Sequence, residues 1–234
     1  MDTSSSVTKD PVTLVFTHGF GDSGSSWDGQ LAALSAKYPV KVWDLPGHGD
    51  RHQELPEGYD IASTTAELDS IVAATVGPVV LVGHSVGGYI SLRCALTMST
   101  ASVVGLVLIS AGPGFRSAAK IVEWNSKMDR LTTALAMPSS TSQVAYMSDS
   151  LVAERISSIV CPTLVVRGRV DHEMYLRGSG HIAENVLGAE LLDVADAGHN
   201  LHRSHPREVN TAIDNFVTRI IDTRRIRPQL DDST

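Results

Sequence analysis

Three residue types set far apart in this chain belong to one kind of chemistry. Ser85 lies in Gly83-His84-Ser85-Val86-Gly87, a match to G-x-S-x-G with an apolar run before the serine and a helix-patterned stretch after it. A serine hydroxyl is a weak nucleophile unless a base stands within hydrogen-bond reach and a further group orients that base. His199 in "DAGHN" and Asp171 in "RGRVD" each follow a short apolar run, where a loop can carry them to one sheet edge. Asp193 and Asp196 are alternative orienters, but Asp193 lies inside its apolar run and Asp196 is close to His199 along the chain.

The string alone is weak, because a chain of this length and this Gly and Ser content contains it by chance roughly 0.17 times. Its context carries the weight: a strand before the serine and a helix after it. Such a turn strains the serine backbone and lifts the hydroxyl clear of the sheet edge, and Gly83 and Gly87 allow the close approach this requires. The helix that follows aims its first N–H groups at the space where an anion would form.

The elements that must position these residues alternate along the chain. Apolar, β-branched runs predict strands over Val12–Thr17, Val40–Trp43, Pro78–Val82, Val103–Ile109, Thr163–Val166 and Leu191–Val194. Helical spacing is read over Leu31–Lys37, Ile61–Val76, Ser85–Met98 and Pro206–Ile221, the last opening on a proline. The pattern predicts a single α/β domain over residues 1–234, with a mostly parallel central sheet, helices on both faces and ligands at the carboxyl ends of the strands. A long stretch without a strand separates Ile109 from Thr163. Leu151–Ile159 reads as a core helix, whereas residues 115–148, with Ile121, Val122, Trp124, Met128, Leu131 and Leu135, read as a short lid inserted over something apolar. The polar ends, Met1–Asp10 and Arg224–Thr234, are expected to be loose.

In this order and at these strand ends, "THGFG" (17–21), "DLPGHG" (44–49), "GHSVGG" (83–88), "RGRVD" (167–171) and "AGH" (197–199) resemble the α/β-hydrolase superfamily over nearly the whole chain. The resemblance implies Ser85 as nucleophile, His199 as general base and acid, and Asp171 as the carboxylate that orients it. It further implies an oxyanion hole from the backbone N–H groups of Phe20 and Val86. The expected reaction is hydrolysis of a small-molecule carboxylic ester or thioester with an apolar part, through an acyl-enzyme at Ser85 and without a metal or organic cofactor. Only about ten residues precede the first strand, so the opening strands of a fuller family member are expected to be missing or shortened. A serine nucleophile argues against the dehalogenase- and epoxide-hydrolase-like members, which attack with a carboxylate.

Other readings use the same residues. "HGFGDSGSSW", "DLPGHG" and "SAGPGF" are similar to the menaquinone-pathway synthase group, a lyase that uses a similar triad, but Tyr89 stands where that group usually carries an arginine. Carbon–carbon bond hydrolysis and ligand binding without turnover are further possibilities within the fold. Gly19, Gly21 and Gly24 with Asp44 match a dinucleotide fingerprint and would make the chain an NAD-binding oxidoreductase. That reading leaves Ser85, Asp171 and His199 without a part. "GDSGS" (21–25) imitates the serine loop of trypsin-like proteases, whose all-β fold the pattern excludes. His199, His202 and His205 are evenly spaced, but they run through a loop into Pro206 and no metal site is expected. His18, His48, His84 and Asp44 are read as supports.

Bulk properties narrow the class. A formal charge of −7 argues against a nucleic-acid partner, which calls for clustered Lys and Arg. Cys94 and Cys161 are read as reduced, buried thiols. "MDTSSSVTKD" has neither a basic nor an apolar leader segment and no apolar stretch spans a bilayer, so a cytoplasmic protein is expected.

Overall fold

Successive side chains of a strand point to opposite faces, so a strand covered on both faces must be apolar throughout. The computed structural model, which describes residues 10–53 and 55–226, shows this in its central strands. The strands are β1 (Thr13–Thr17), β2 (Val40–Trp43), β3 (Val79–His84), β4 (Val103–Ile109), β5 (Thr163–Gly168) and β6 (Glu190–Val194). All pair in parallel, in the order β2-β1-β3-β4-β5-β6. The helices are α1 (Asp28–Leu34), α2 (Ile61–Ala73), α3 (Val86–Thr97), α4 (Ala118–Ala134), α5 (Leu151–Arg155), α6 (Glu173–Asn185), α7 (Leu201–Ser204) and α8 (Pro206–Ile226).

The strands divide their side chains between two cores. Val80 and Val82 of β3 join Leu14, Phe16, Val107 and Val166 under α1 and α8, where Leu34, Val209, Ile213 and Phe216 meet them. Val79 and Leu81 of β3 face the other way, with Val15, Leu106, Leu108 and Val165, against Leu68 of α2, Ile90 of α3 and Ile182 of α6. Each such side chain contributes about 1.5–3 kcal/mol on burial. Helix α2 starts where the Asp60 carboxylate accepts the Ser63 N–H at 2.9 Å, and α8 starts on Pro206.

The chain passes from β1 to β2 on one side, then returns to lay β3 on the other side of β1. A crevice therefore opens at the carboxyl ends of β1 and β3, the place where parallel sheets hold ligands. The loop after β1 and the turn carrying Ser85 both lie there.

The stretch between β4 and β5 holds α4, a 3₁₀ turn over Ser139–Ala145 and α5. Trp124 and Met128 bury one side of α4, whereas Val122 and Leu135 stay exposed. The Trp124 indole donates to Ala145 O at 2.8 Å, and Asn125 makes two bonds to the Met147 backbone, so helix and turn are sewn together. Leu151–Ile159 forms α5 and a 3₁₀ turn with Val152 and Ile156 buried, as expected of a core helix. Several elements differ from expectation. Helices α6 and α7 were not foreseen, α1 runs over Asp28–Leu34 rather than Leu31–Lys37, and α8 continues through Arg224 to Ile226, where loose chain was expected. The expectations for Met1–Lys9 and 227–234, including that on a leader, fall outside the described residues. Among the described residues no helix is long and apolar enough to cross a membrane.

Candidate active site

Ser85 takes φ 53° and ψ −117°, a left-handed conformation rare for a residue with a side chain and costly by about 1–3 kcal/mol. It persists because both neighbours are fixed: the Ser85 N–H bonds Ile109 O on β4 at 2.9 Å, and α3 begins at Val86. The turn is too tight for flanking side chains. A Cβ at Gly83 would fall 2.4 Å from Gly87 O, and one at Gly87 would fall 2.2 Å from Thr17 O.

Asp171 follows β5 and His199 follows β6, and the structure brings both to Ser85. His199 Nε2 stands 3.0 Å from Ser85 Oγ, while His199 Nδ1 stands 3.1 and 3.0 Å from the two Asp171 carboxylate oxygens. An ionised carboxylate only accepts, so Nδ1 carries the imidazole proton and Nε2 is left to accept from the serine hydroxyl. Burial opposes the Asp171 charge, yet the bonds from His199 and the His172 N–H, with the Ser110 hydroxyl nearby, outweigh it and hold its pKa below the usual carboxylate value. The alternative orienters lie elsewhere: Asp193 pairs with Arg167 Nε at 2.6 Å, and Asp196 sits in a left-handed turn at φ 56°.

The loop after β1 is braced by two buried histidines. His18 Nε2 accepts the Leu45 N–H at 3.0 Å, so its Nδ1 holds the proton and donates to Gly19 O at 2.8 Å. His48 Nε2 accepts the Gly21 N–H at 2.9 Å, and its Nδ1 donates to Pro46 O at 2.9 Å. Each arrangement requires a neutral ring, and burial keeps the pKa of both low, that of His48 at about 4. Gly19 lies directly against Ser85 and His84, and the next residue, Phe20, sets its ring edge-on to His48. Val86 is the first residue of α3, where N–H groups have no helical partner. The rival dinucleotide pattern is occupied from within. Asp44 Oδ1 accepts the Gly24 N–H at 2.6 Å and Oδ2 accepts the Asp50 N–H, so its acid and glycine satisfy each other.

The evenly spaced histidines do not converge. His202 is buried between Trp27 and His84, with ring centroids 4.7 and 4.3 Å away, and His205 bonds Ser204. Among the described residues no three potential ligands gather on one point.

A cavity of about 70 Å³ opens on Ser85. Ile61, Phe115, Trp124, Met147 and Met174 give it apolar walls, Ser85, Tyr89 and Tyr175 are its hydroxyl-bearing residues, and among the described residues no charged side chain lines it. Sequence reading foresaw Phe115, Trp124 and Met147 within a cover but missed Met174 and Tyr175. Tyr175 stacks on His199 with ring centroids 4.0 Å apart. Its signal was its place a few residues after Asp171, at the start of an unforeseen helix.

Residues 14–212 match the model of the alpha/beta hydrolase family. Over 86% of this chain and 89% of the other, the sequence is 26% identical to the putative carbamate hydrolase RutD of Klebsiella pneumoniae subsp. pneumoniae. The structure superposes on MenH from S. aureus with a TM-score of 0.74 at 22% identity, covering 92% and 96% of the two chains. It also superposes on Est816, described as an N-acyl homoserine lactone degrading enzyme, with a TM-score of 0.70 at 26% identity over 89% and 94%. With its sheet order and its turn at Ser85, the chain belongs to the alpha/beta hydrolase family.

Proposed function

We propose that this protein is a serine hydrolase that cleaves small, uncharged carboxylic esters or thioesters through an acyl-enzyme at Ser85. One observation carries the reading: Ser85 Oγ, His199 and Asp171 form a continuous hydrogen-bonded line from three different strand ends. His199 takes the hydroxyl proton as Ser85 attacks the carbonyl carbon, and Asp171 stabilises the imidazolium that forms. The N–H groups of Phe20 and Val86 hold the oxyanion, a type of contact worth about 2.7–4 kcal/mol each. His199 then protonates the leaving alcohol or thiol, and water releases the acyl group by the same steps reversed.

The cavity sets the acyl size. An apolar space of about 70 Å³ is smaller than an engineered cavity of about 150 Å³ that admits benzene, which favours acyl groups of a few carbons. Its uncharged lining disfavours the lyase reading, whose substrate carries a carboxylate. Tyr89 faces the cavity, and Arg93, one turn further along α3, is held by both Asp149 oxygens at 2.7 and 2.8 Å. The similarity to a protein named for carbamate hydrolysis supports a second substrate class, because a carbamoyl group is small, planar and open to the same attack. Residues 115–148 act as the lid in this reading, since Phe115, Trp124 and Met147 roof the cavity.

A chain-length series of p-nitrophenyl esters, with an aryl carbamate alongside, tests the proposal together with labelling by a fluorophosphonate. Acetyl and butyryl esters are expected to turn over fastest. Ser85→Ala is expected to abolish labelling and to lower kcat by ~10⁶. Turnover that survives this substitution overturns the reading.

A further inference from the structure

Tyr175 has no part in the steps above, yet it touches the groups that perform them. It lies in the first turn of α6, four residues beyond Asp171, with its N–H on His172 O at 2.9 Å. Its ring is tilted 36° to the His199 imidazole at 4.0 Å between centroids, and its side chain lines the same cavity as Ser85. We propose that the Tyr175 hydroxyl assists deacylation, by donating to Ser85 Oγ as that oxygen is expelled from the acyl-enzyme. The inference rests on the acyl-enzyme reading given above.

The argument follows from which atoms can donate. Ser85 Oγ has one proton, directed to His199 Nε2, so what remains toward Tyr175 is lone-pair acceptor capacity. The phenol lines the cavity beside Ser85, and burial, the largest influence on it, raises its pKa, so it holds the proton a donor needs. A donor at Oγ acts unequally on the two half-reactions. Before acylation the free hydroxyl already accepts from it, so little is gained on attack, whereas the ester oxygen of the acyl-enzyme is a weak acceptor until it is expelled. In deacylation water loses a proton to His199 and adds to the acyl carbon. The C–Oγ bond then breaks, its electron pair goes to Oγ, and His199 returns the proton to that oxygen. Negative charge grows on Oγ during this step, and the Tyr175 O–H in the same cavity stabilises it by donating without giving up its own proton. An interaction that strengthens only in the transition state accelerates that step alone.

Tyr175→Phe keeps the ring on His199 and removes only the donor. With p-nitrophenyl acetate, whose good leaving group makes acylation fast, kcat is expected to fall roughly tenfold, the usual worth of one such hydrogen bond. KM falls in step, so kcat/KM, which reports acylation, stays within about twofold of the unsubstituted protein. Acid-quenched intact-protein mass spectrometry is expected to show an acetyl adduct on Ser85 building up in the variant. A merely structural role would lower kcat and kcat/KM together without an adduct, and that result, or a variant indistinguishable from the parent protein, overturns the proposal. Ser85→Ala run in parallel separates the two levels: full turnover there removes the acyl-enzyme reading, and this inference with it.

Discussion

His84 donates from Nε2 to the backbone carbonyl of His199 at 3.0 Å. A carbonyl only accepts, so Nε2 carries the proton and Nδ1 is bare, and that nitrogen is buried without a hydrogen-bond partner. Burial keeps the ring neutral by lowering its pKa far below the usual histidine value. The x before the serine in G-x-S-x-G thus tethers the loop of the base to β3. His84→Leu is expected to lower kcat about tenfold to a hundredfold with little change in KM, and to cost about 1 kcal/mol in urea unfolding. His84→Gln, which keeps a donor on the same side, is expected to recover most of the rate. An unchanged kcat in His84→Leu would show that the loop holds itself.

Asp171 accepts the hydrogen bond from the His199 Nδ1–H, and its side chain is fully buried. In Asp171→Asn an amide N–H can face the imidazole, which reverses the tautomer and turns Nε2 away from accepting the serine proton. The expected loss is ~10⁴ in kcat with the fold intact. Asp193→Asn is the matched control. It breaks a part-exposed pair with Arg167, worth about 0–1 kcal/mol, and should leave turnover unchanged. Equal losses in both variants would mean that Asp171 does not orient the base.

Stability is expected to fall in mild acid, and the sign follows from the buried histidines. His48 has a folded pKa of about 4 and His202 of about 3, both lowered chiefly by burial from 6.5. Above pH 6.5 neither state binds the extra proton. Below it the unfolded chain does and the folded one does not, so stability is lost as pH falls from 6.5 toward 4 and then 3. Each such histidine costs about 1.4 kcal/mol per pH unit inside its window. Both nitrogens of His202 are buried without partners, so His202→Phe should raise stability at pH 7 and flatten the acid slope by one proton. Urea midpoints at pH 7, 6, 5 and 4.5 measure this; a parallel slope in the variant would count against the account.

The strands were legible because burial on both faces writes a continuous apolar run, as in "VVLV" of β3 and "VVGLVLI" of β4. The three polar residues were legible because each stands at the end of such a run, where a parallel sheet gathers them. What escaped was built on another principle. Helix α6 reads "EMYLRGSGHIAEN", with two glycines, poor helix formers, at its middle and only Ser179 and Ile182 buried. Gly178 there meets Gly112 so closely that a Cβ would fall 2.9 Å from its Cα, a contact between distant segments that no local pattern announces. Met174 and Tyr175, borne on that helix, were hidden with it. The neutral state of His18 and His48 was equally invisible, since it depends on partners far along the chain.

Met174 stands between two spaces. It lines the cavity at Ser85 and also a larger groove of about 570 Å³, which shares the Pro113–Phe115 wall and carries Arg116 and Arg177 at its rim. The side chain is only half-buried, so shortening it should cost less than the about 2–5 kcal/mol of a core Met→Ala change. Met174→Ala is expected to join cavity and groove and to give a longer acyl chain somewhere to lie. In the p-nitrophenyl ester series the optimum should move from two to four carbons toward eight, with acetate turnover falling less than about threefold, since each further buried CH₂ adds about 0.8 kcal/mol. If the optimum stays short while acetate turnover is kept, the wall that limits the acyl group is Phe115 or Trp124 on the other side, and the same series on Phe115→Ala would locate it.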